Sequence, residues 1–389
     1  MRFDYSMMRI WAVVTFAVAA WCIAMPARAQ DQTSSTEKTT YPRTGPLSGY
    51  MDFHFNKEEH LDGVLDFHRF VLLFNHSFSP RIRFVGELEL EHALVEGLEE
   101  KGELELEQAY LDFLITREFN VRAGMLLVPM GIINERHEPP VFHGVERPFV
   151  DTVIIPTTWF ETGVGVHGEL RRGFRYRAYA MAPLDALEFT AEEGIRGGRQ
   201  KGSQSNVRNA AFAGRLEYVG VRNLVIGASA WRGKSSFSLP RLFSTVGITE
   251  VDARYRRGPL ELRGQFANVT MSDAANLNDA IGRQTGVSPN IAEQLRGFYG
   301  EAAYRVWNRG SPRDLVAFIR YENFDTQHRM PEGFLPLKEF DRDAVVFGAT
   351  YYPDPDIAVK VDFVRQRNQS GFISSPSSFN IGLDRKSVV

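Results

Sequence analysis

Cysteine is almost missing from this chain: its one copy, Cys22, lies in the first apolar stretch, so nothing after it forms a disulfide. Long apolar runs are missing too once that stretch ends. No segment after Ala29 approaches the roughly 20 apolar residues that a membrane-spanning helix needs. Excess positive charge is also absent, since 45 Lys and Arg stand against 48 Asp and Glu with the two signs interleaved. This excludes binding to nucleic acid through a basic stripe. An extracytoplasmic chain of this length without disulfides must be held by its own hydrogen bonding and burial, and any membrane insertion must be by strands.

What is present begins with an address. Arg9 precedes an apolar run over 10–25 that ends Pro26-Ala27-Arg28-Ala29, which reads as a secretory signal peptide over 1–29 cleaved before Gln30. Trp21 before Cys22 is a poor fit to a lipoprotein cleavage site. Residues 30–45 are polar and read as a flexible N-terminal lead.

From residue 46 two-step alternation recurs. Met51, Phe53 and Phe55 oppose Asp52, His54 and Asn56; Phe212, Gly214 and Leu216 oppose Arg215 and Glu217; Val359, Val361 and Phe363 oppose Lys360 and Asp362. Alternation alone suits a soluble sandwich as well as a membrane barrel, but the connections are short at 77–80, 171–173, 219–223, 256–259, 308–312 and 353–356, and mostly long between. That asymmetry marks an outer-membrane barrel with short periplasmic turns. The expected fold is therefore all-β, a transmembrane antiparallel β-barrel over 46–383 with about sixteen strands. Tyr110, Trp231, Trp307 and Tyr321 fall near strand ends, where an interfacial girdle belongs. Near Gln108 the apolar set changes parity from Leu104 and Leu106 to Ala109, Leu111 and Phe113, which predicts a β-bulge. The long connections 185–207 and 272–294 are expected to hold local helix.

One connection, between residues 128 and 161, is too long for a hairpin turn and too apolar for a linker. It is expected to fold into the lumen as a constriction loop, with Glu135, Arg136, His137, Glu138, His143, Glu146 and Arg147 facing passing solute and Pro139-Pro140 stiffening it. The spacing of its histidines and carboxylates lacks the tight pattern of a structural zinc site, so no metal and no cofactor is assigned. Residues 384–389, Asp-Arg-Lys-Ser-Val-Val, are expected to be a non-native tail. They back-translate to the start of a common sequencing adapter, and they would put charge into the middle of the last span, where a lipid-facing cation costs roughly 2 to 4 kcal/mol.

Three segments, GELELEQAYLDF (102–113), VRAGMLLVPMGIINERHEPPVFHGVERPFVD (121–151) and EEGIRGGRQKGS (192–203), resemble the phosphate-selective porin family, the O and P type porins of Gram-negative outer membranes. The resemblance implies a sixteen-stranded barrel, a homotrimer, a loop constricting the lumen and basic side chains that conduct anions. The inferred inward positions offer Arg122, Arg175, Arg177, Arg215, Arg254, Arg256, Arg263 and Arg305 as such a path. Against them stand Glu87, Glu89 and Glu91 on one strand and Glu103, Glu105 and Glu107 on the next. The expected function is passive diffusion of small hydrophilic solutes or ions, anions such as phosphate among them, by a non-enzyme that contacts outer-membrane lipid and lipopolysaccharide. The alternatives are a plugged, adhesin-like barrel and a barrel-borne hydrolase, for which no local signature joins a serine to a histidine.

Overall fold

Inward charge and outward grease, repeated every second residue, fold here into a cylinder. In the computed structural model the strands are β1 (Leu47–Glu58), β2 (Val64–Ser79), β3 (Ile82–Glu91), β4 (Leu104–Leu114), β5 (Asn120–Leu127), β6 (Phe160–Leu170), β7 (Phe174–Met181) and β8 (Ala211–Tyr218). They continue as β9 (Leu224–Lys234), β10 (Thr245–Arg257), β11 (Leu260–Met271), β12 (Gln294–Trp307), β13 (Asp314–Arg329), β14 (Asp341–Asp354), β15 (Ile357–Asn368) and β16 (Ser378–Ser387). Each pairs antiparallel with its neighbours in sequence, and β1 pairs β16 with Gly49 opposite Ser387, so the sheet is a closed sixteen-stranded barrel without an edge. The structure describes residues 46–93, 102–239, 242–307, 314–373 and 375–387; the expected signal peptide (1–29), the lead (30–45), the turn 308–312 and residues 388–389 lie outside the described residues.

The faces are those of a membrane barrel. In β8, Ala211, Ala213, Arg215 and Glu217 are buried while Phe212 and Leu216 are exposed, and in β10 Glu250 and Asp252 are buried while Val251 is exposed. Exposed Phe70, Leu72, Phe74, Phe266, Ile319 and Phe347 extend this apolar outer surface around the cylinder, the inverse of a water-soluble protein and suited to lipid. Trp307 and Tyr321 are exposed as a girdle requires, but Tyr110 and Trp231 are not: both turn inward and are buried, Tyr110 under the Arg122 guanidinium and Trp231 against Trp159.

One rim carries short turns, among them 80–81, 171–173 and 258–259; the other carries the connections 92–103, 128–159, 182–210 and 272–293. Within the last lies α1 (Ala274–Thr285), which buries Ala274, Leu277 and Ile281 and is tied to Ile291 by both ends of the Asn278 amide. The helix expected in 185–207 is reduced to two single 3₁₀ turns, Ala186–Glu188 and Arg196–Gly198.

The bulge sits where parity changes. Glu87 lies opposite Gln108 and Leu88 opposite Leu106, which leaves Glu107 as the extra residue and lets Leu106 and Leu111 both face outward. Glu103 precedes β4 instead of belonging to it. The tail also departs from expectation: β16 runs on to Ser387, and Arg385 lies opposite Met51 and Ile357, beside the short-turn rim and not in the middle of the span. Asp384 turns inward, 2.7 Å from the Lys360 ammonium.

Candidate functional site: a loop docked across the lumen

The connection 128–159 enters the barrel and is tied shut at its base. Asn134, fully buried, donates from Nδ2 to the carbonyls of Val128 (2.7 Å) and Trp159 (2.8 Å), and its Oδ1 accepts the Trp159 N–H (2.7 Å). A loop removed from water needs partners for its backbone polar groups, and here the inward side chains of distant strands supply them. On one side of the barrel Gln265 of β11 accepts the Ile132 N–H (2.8 Å) and Glu322 of β13 accepts the Val150 N–H (3.1 Å). Further round, Thr350 of β14 donates to the His143 carbonyl (2.9 Å), Lys360 of β15 donates to the Pro139 carbonyl (2.6 Å), and Asp362 accepts the Val145 N–H (2.6 Å). Lys360 also lies 4.3 Å from the centroid of the Phe142 ring.

The loop's charged side chains complete the docking. His137 Nε2 lies 2.8 Å from Glu107 and 3.6 Å from Glu87, two members of the acidic ladder. Burial alone would lower its pKa, but the two carboxylates outweigh burial and hold it well above the ordinary value, so the imidazole is charged at neutral pH. His143 Nδ1 lies 2.8 Å from Glu301 and 2.9 Å from Arg263. Glu146 accepts from Asn56 (2.9 Å) and lies 3.2 Å from His54. Glu135 pairs with Arg177 at 3.0 Å, and Arg136 and Glu138 are half-buried.

Of the loop residues expected to face passing solute, His137, His143 and Arg147 are therefore buried anchors. The reason is physical: a charged side chain inside a filled lumen lowers its energy most by meeting an opposite charge on the wall.

The expected basic path is altered in the same way. Arg122 pairs with Asp112 (3.1 Å), Arg175 with Glu169 (3.2 Å), Arg177 and Arg254 with Glu217 (3.2 Å each), and Arg305 with Asp314 (2.9 Å). Arg215 is buried among Glu217, Glu250 and Asp252, and Arg263 pairs with Glu301 at 2.8 Å. Arg256 is mostly exposed at the short-turn rim beside Glu261. The acidic ladder is equally occupied: Arg69 lies 3.4 Å from Glu89 and 3.3 Å from Glu91, while Lys201 binds Glu103 and Glu105. The basic set is thus matched by carboxylates outside the ladder, and the ladder by Arg69, Lys201 and His137 outside the basic set, so that neither forms a bare cationic or anionic wall.

The connection 182–210 clamps the first loop through two arginines that strand alternation does not reveal. Arg196 donates to the carbonyls of Thr152 and Thr157, and Arg199 to those of Pro156 and Thr158. Arg147 donates to Thr158 Oγ1 (2.7 Å) and to the His137 carbonyl (3.2 Å). All three guanidinium groups are thus held by neutral oxygens. Burial, then the charges of Arg199 and Arg147, pull Arg196 down to about 9. Both Arg196 and Arg199 lie in the stretch 192–203 that carried the family resemblance. Beside the loop a cavity of about 170 Å³ remains, lined by Asn56, Glu58, Glu146, Arg147, Phe149 and Gln366 among others, between the loop and the wall from β13 round to β1.

Asp151, fully buried on the single π-helical turn Val150–Ile154, accepts from Gln265 (2.8 Å). Burial pushes its carboxyl up to about 7, with the charge of Glu322 adding to the rise. The folded state therefore holds a proton that the unfolded chain releases near pH 4. The stabilising contribution is full below that pH and is lost as pH rises from about 4 to 7, a change of roughly 4 kcal/mol. Asp151→Asn is expected to remove this decline and raise the thermal midpoint above pH 7; parallel pH profiles for the two proteins would contradict it.

No family model matches the chain. Solved structures with the same fold include the outer membrane channel DcaP of Acinetobacter baumannii, with a TM-score of 0.57 and 13% identity over 88% of this chain and 96% of that one. The trimer form of OmpT, an outer membrane protein of Vibrio cholerae, has a TM-score of 0.55 and 12% identity over 88% and 98% of the two chains. OmpF of Salmonella typhi, solved with daunomycin, has a TM-score of 0.55 and 11% identity over 88% and 97%. At these identities the likeness is one of fold, and the barrel is porin-like. A chain of Aquifex aeolicus (strain VF5) described as "Uncharacterized protein" is 34% identical over 328 residues, 82% of this chain and 75% of that one, and this chain belongs to the same family.

Proposed function

We propose that this chain is an outer-membrane porin through which small hydrophilic solutes and ions diffuse passively, with a modest preference for anions. The observation that carries the reading is the docked loop: it crosses a lumen whose wall carries many inward charged side chains, and leaves a charged cleft beside it between Glu146, Arg147 and the wall. A cleft lined by paired charges passes small ions while excluding bulky solutes. The anion preference rests on Arg147, Arg196 and Arg199, whose hydrogen bonds go to carbonyl and hydroxyl oxygens. Phosphate, as the resemblance to the phosphate-selective porins implies, is the anion to test first, since a guanidinium fork matches its oxygens. Assembly as a homotrimer in the outer membrane, set in lipid and lipopolysaccharide, belongs to the same reading.

Reversal potentials in a potassium chloride gradient test the preference. The wild type is expected to favour chloride weakly, and Arg147→Gln to shift the potential toward the cation side. A cation-selective wild type, or an unchanged potential in the variant, would contradict the arginine assignment.

A plugged barrel is the second reading, favoured by the number of buried ion pairs between loop and wall; it requires that no steady current flow. We assign no catalysis: His54, His137 and His143 each sit against carboxylates that hold the loop in place.

A further inference from the structure

We infer that Asp66, His68 and His92 form a binding site for a divalent transition-metal ion of the zinc class at the long-loop end of the lumen. Two imidazoles and one carboxylate converge there. His68 Nδ1 lies 3.2 Å and His92 Nδ1 2.7 Å from the same oxygen, Asp66 Oδ2, and one ligand atom from each residue fits within 4.8 Å of the others. Nitrogen and oxygen donors of this kind suit zinc, cobalt, nickel and copper far better than magnesium or calcium, which seek oxygen alone. Metal–ligand bonds of about 2.0 to 2.1 Å in a tetrahedron put the ligand atoms roughly 3.3 Å apart; the His68–Asp66 spacing of 3.2 Å matches this, and the His92–Asp66 spacing of 2.7 Å would widen to admit the ion. Three protein ligands leave a fourth position for water or for a solute.

The fold assembles these ligands from two places. Asp66 and His68 flank Phe67 in β2, where a bulge opposite Phe53 takes up an extra residue and His68 stacks on the inward His54 at 4.9 Å. His92 follows β3, and its backbone N–H donates to the His68 carbonyl (3.0 Å), which returns the imidazole edge-on to the His68 ring at 5.1 Å. Access separates this cluster from two others of similar composition. The side chains of His68, Asp66 and His92 are 20%, 26% and 40% exposed. Asp52, His54 and Asp384, like Glu87, Glu107 and His137, are buried, and His137 is committed to docking the loop.

An ion here would sit one ring away from His54, which holds the loop through Glu146. The site is thus placed to put two positive charges at the mouth of the cleft.

Calorimetric titration of the folded, metal-free full chain with Zn²⁺ tests the site without any need for current. One ion per chain is expected, with Co²⁺ giving the visible absorption of a four-coordinate centre. Asp66→Asn and His92→Ala, both at accessible positions, should each weaken binding about tenfold or more, while His60→Ala, an exposed histidine outside the cluster, should leave it unchanged. Heat-modifiable migration on gels confirms that each variant is folded. Absence of Zn²⁺ binding by the folded wild type would overturn the inference, as would equal affinity in His92→Ala or an equal loss in His60→Ala.

Discussion

Replacing residues 135–158 with two or three glycines is expected to raise single-channel conductance several-fold. Asn134 and Trp159 already touch, the Trp159 N–H donating to Asn134 Oδ1 at 2.7 Å, so a short bridge spans the gap. No residue of β1 to β16 is removed, and the sixteen ladders that close the barrel stay intact. What is lost is the segment that fills the lumen, along with the partners of Thr350, Lys360, Asp362 and Glu322. In the widened lumen those groups meet water, which satisfies them at little cost. Bilayer recordings of folded wild-type and shortened proteins measure the ratio directly. Equal conductance would mean that the loop is not the narrowing.

Glu301→Ala is expected to be the most damaging single substitution in the wall. Glu301 is buried with both carboxylate oxygens engaged: Oε1 lies 2.8 Å from Arg263 and from His143, and Oε2 lies 3.2 Å from Arg320. Removing it leaves two buried guanidinium groups short of a partner, although Arg320 retains Glu322 at 2.6 Å. Breaking a buried pair from one side costs about 3 to 5 kcal/mol. Denaturant unfolding in lipid should show a loss of that order, and the loop around His143, freed from its socket, should become open to proteolysis. Arg305→Ala is the contrast. Its pair with Asp314 is partly exposed near the short-turn rim, so its loss should cost no more than about 1 kcal/mol. Similar losses in the two variants would contradict the claim that the inner network holds the loop.

The barrel was legible because alternation is local. Phe212 and Leu216 against Arg215 and Glu217 declare the two faces within one strand, and the slip from Leu106 to Ala109 declares a bulge near Gln108 before any partner strand is known, which the register places at Glu107. The loop was legible as an anomaly of length and composition. Its sockets were not: His143 meets Glu301 across 158 residues of sequence, and Lys360 meets the carbonyl of Pro139 across 221. Such pairs depend on how the cylinder closes and on the path the loop takes through it, and neither is written in strand periodicity.

The same limit explains the misjudged arginine path. Counted strand by strand, Arg215 is a luminal cation; in the closed barrel Glu250 and Asp252 of β10 reach across β9 to neutralise it. Arg196 and Arg199, which donate to backbone carbonyls, lie in a loop where two-step alternation carries no information. Asn134 escaped notice for a different reason: its weight comes from three hydrogen bonds at a buried base, which no local pattern marks.

The most direct test of the central claim is the current carried by the full, folded chain inserted into a planar bilayer without other proteins. The account predicts stepwise, steady conductance from each insertion, small for a sixteen-stranded barrel because the loop occupies the lumen. Well-folded protein that inserts yet carries no current would contradict it and make the barrel a plugged one.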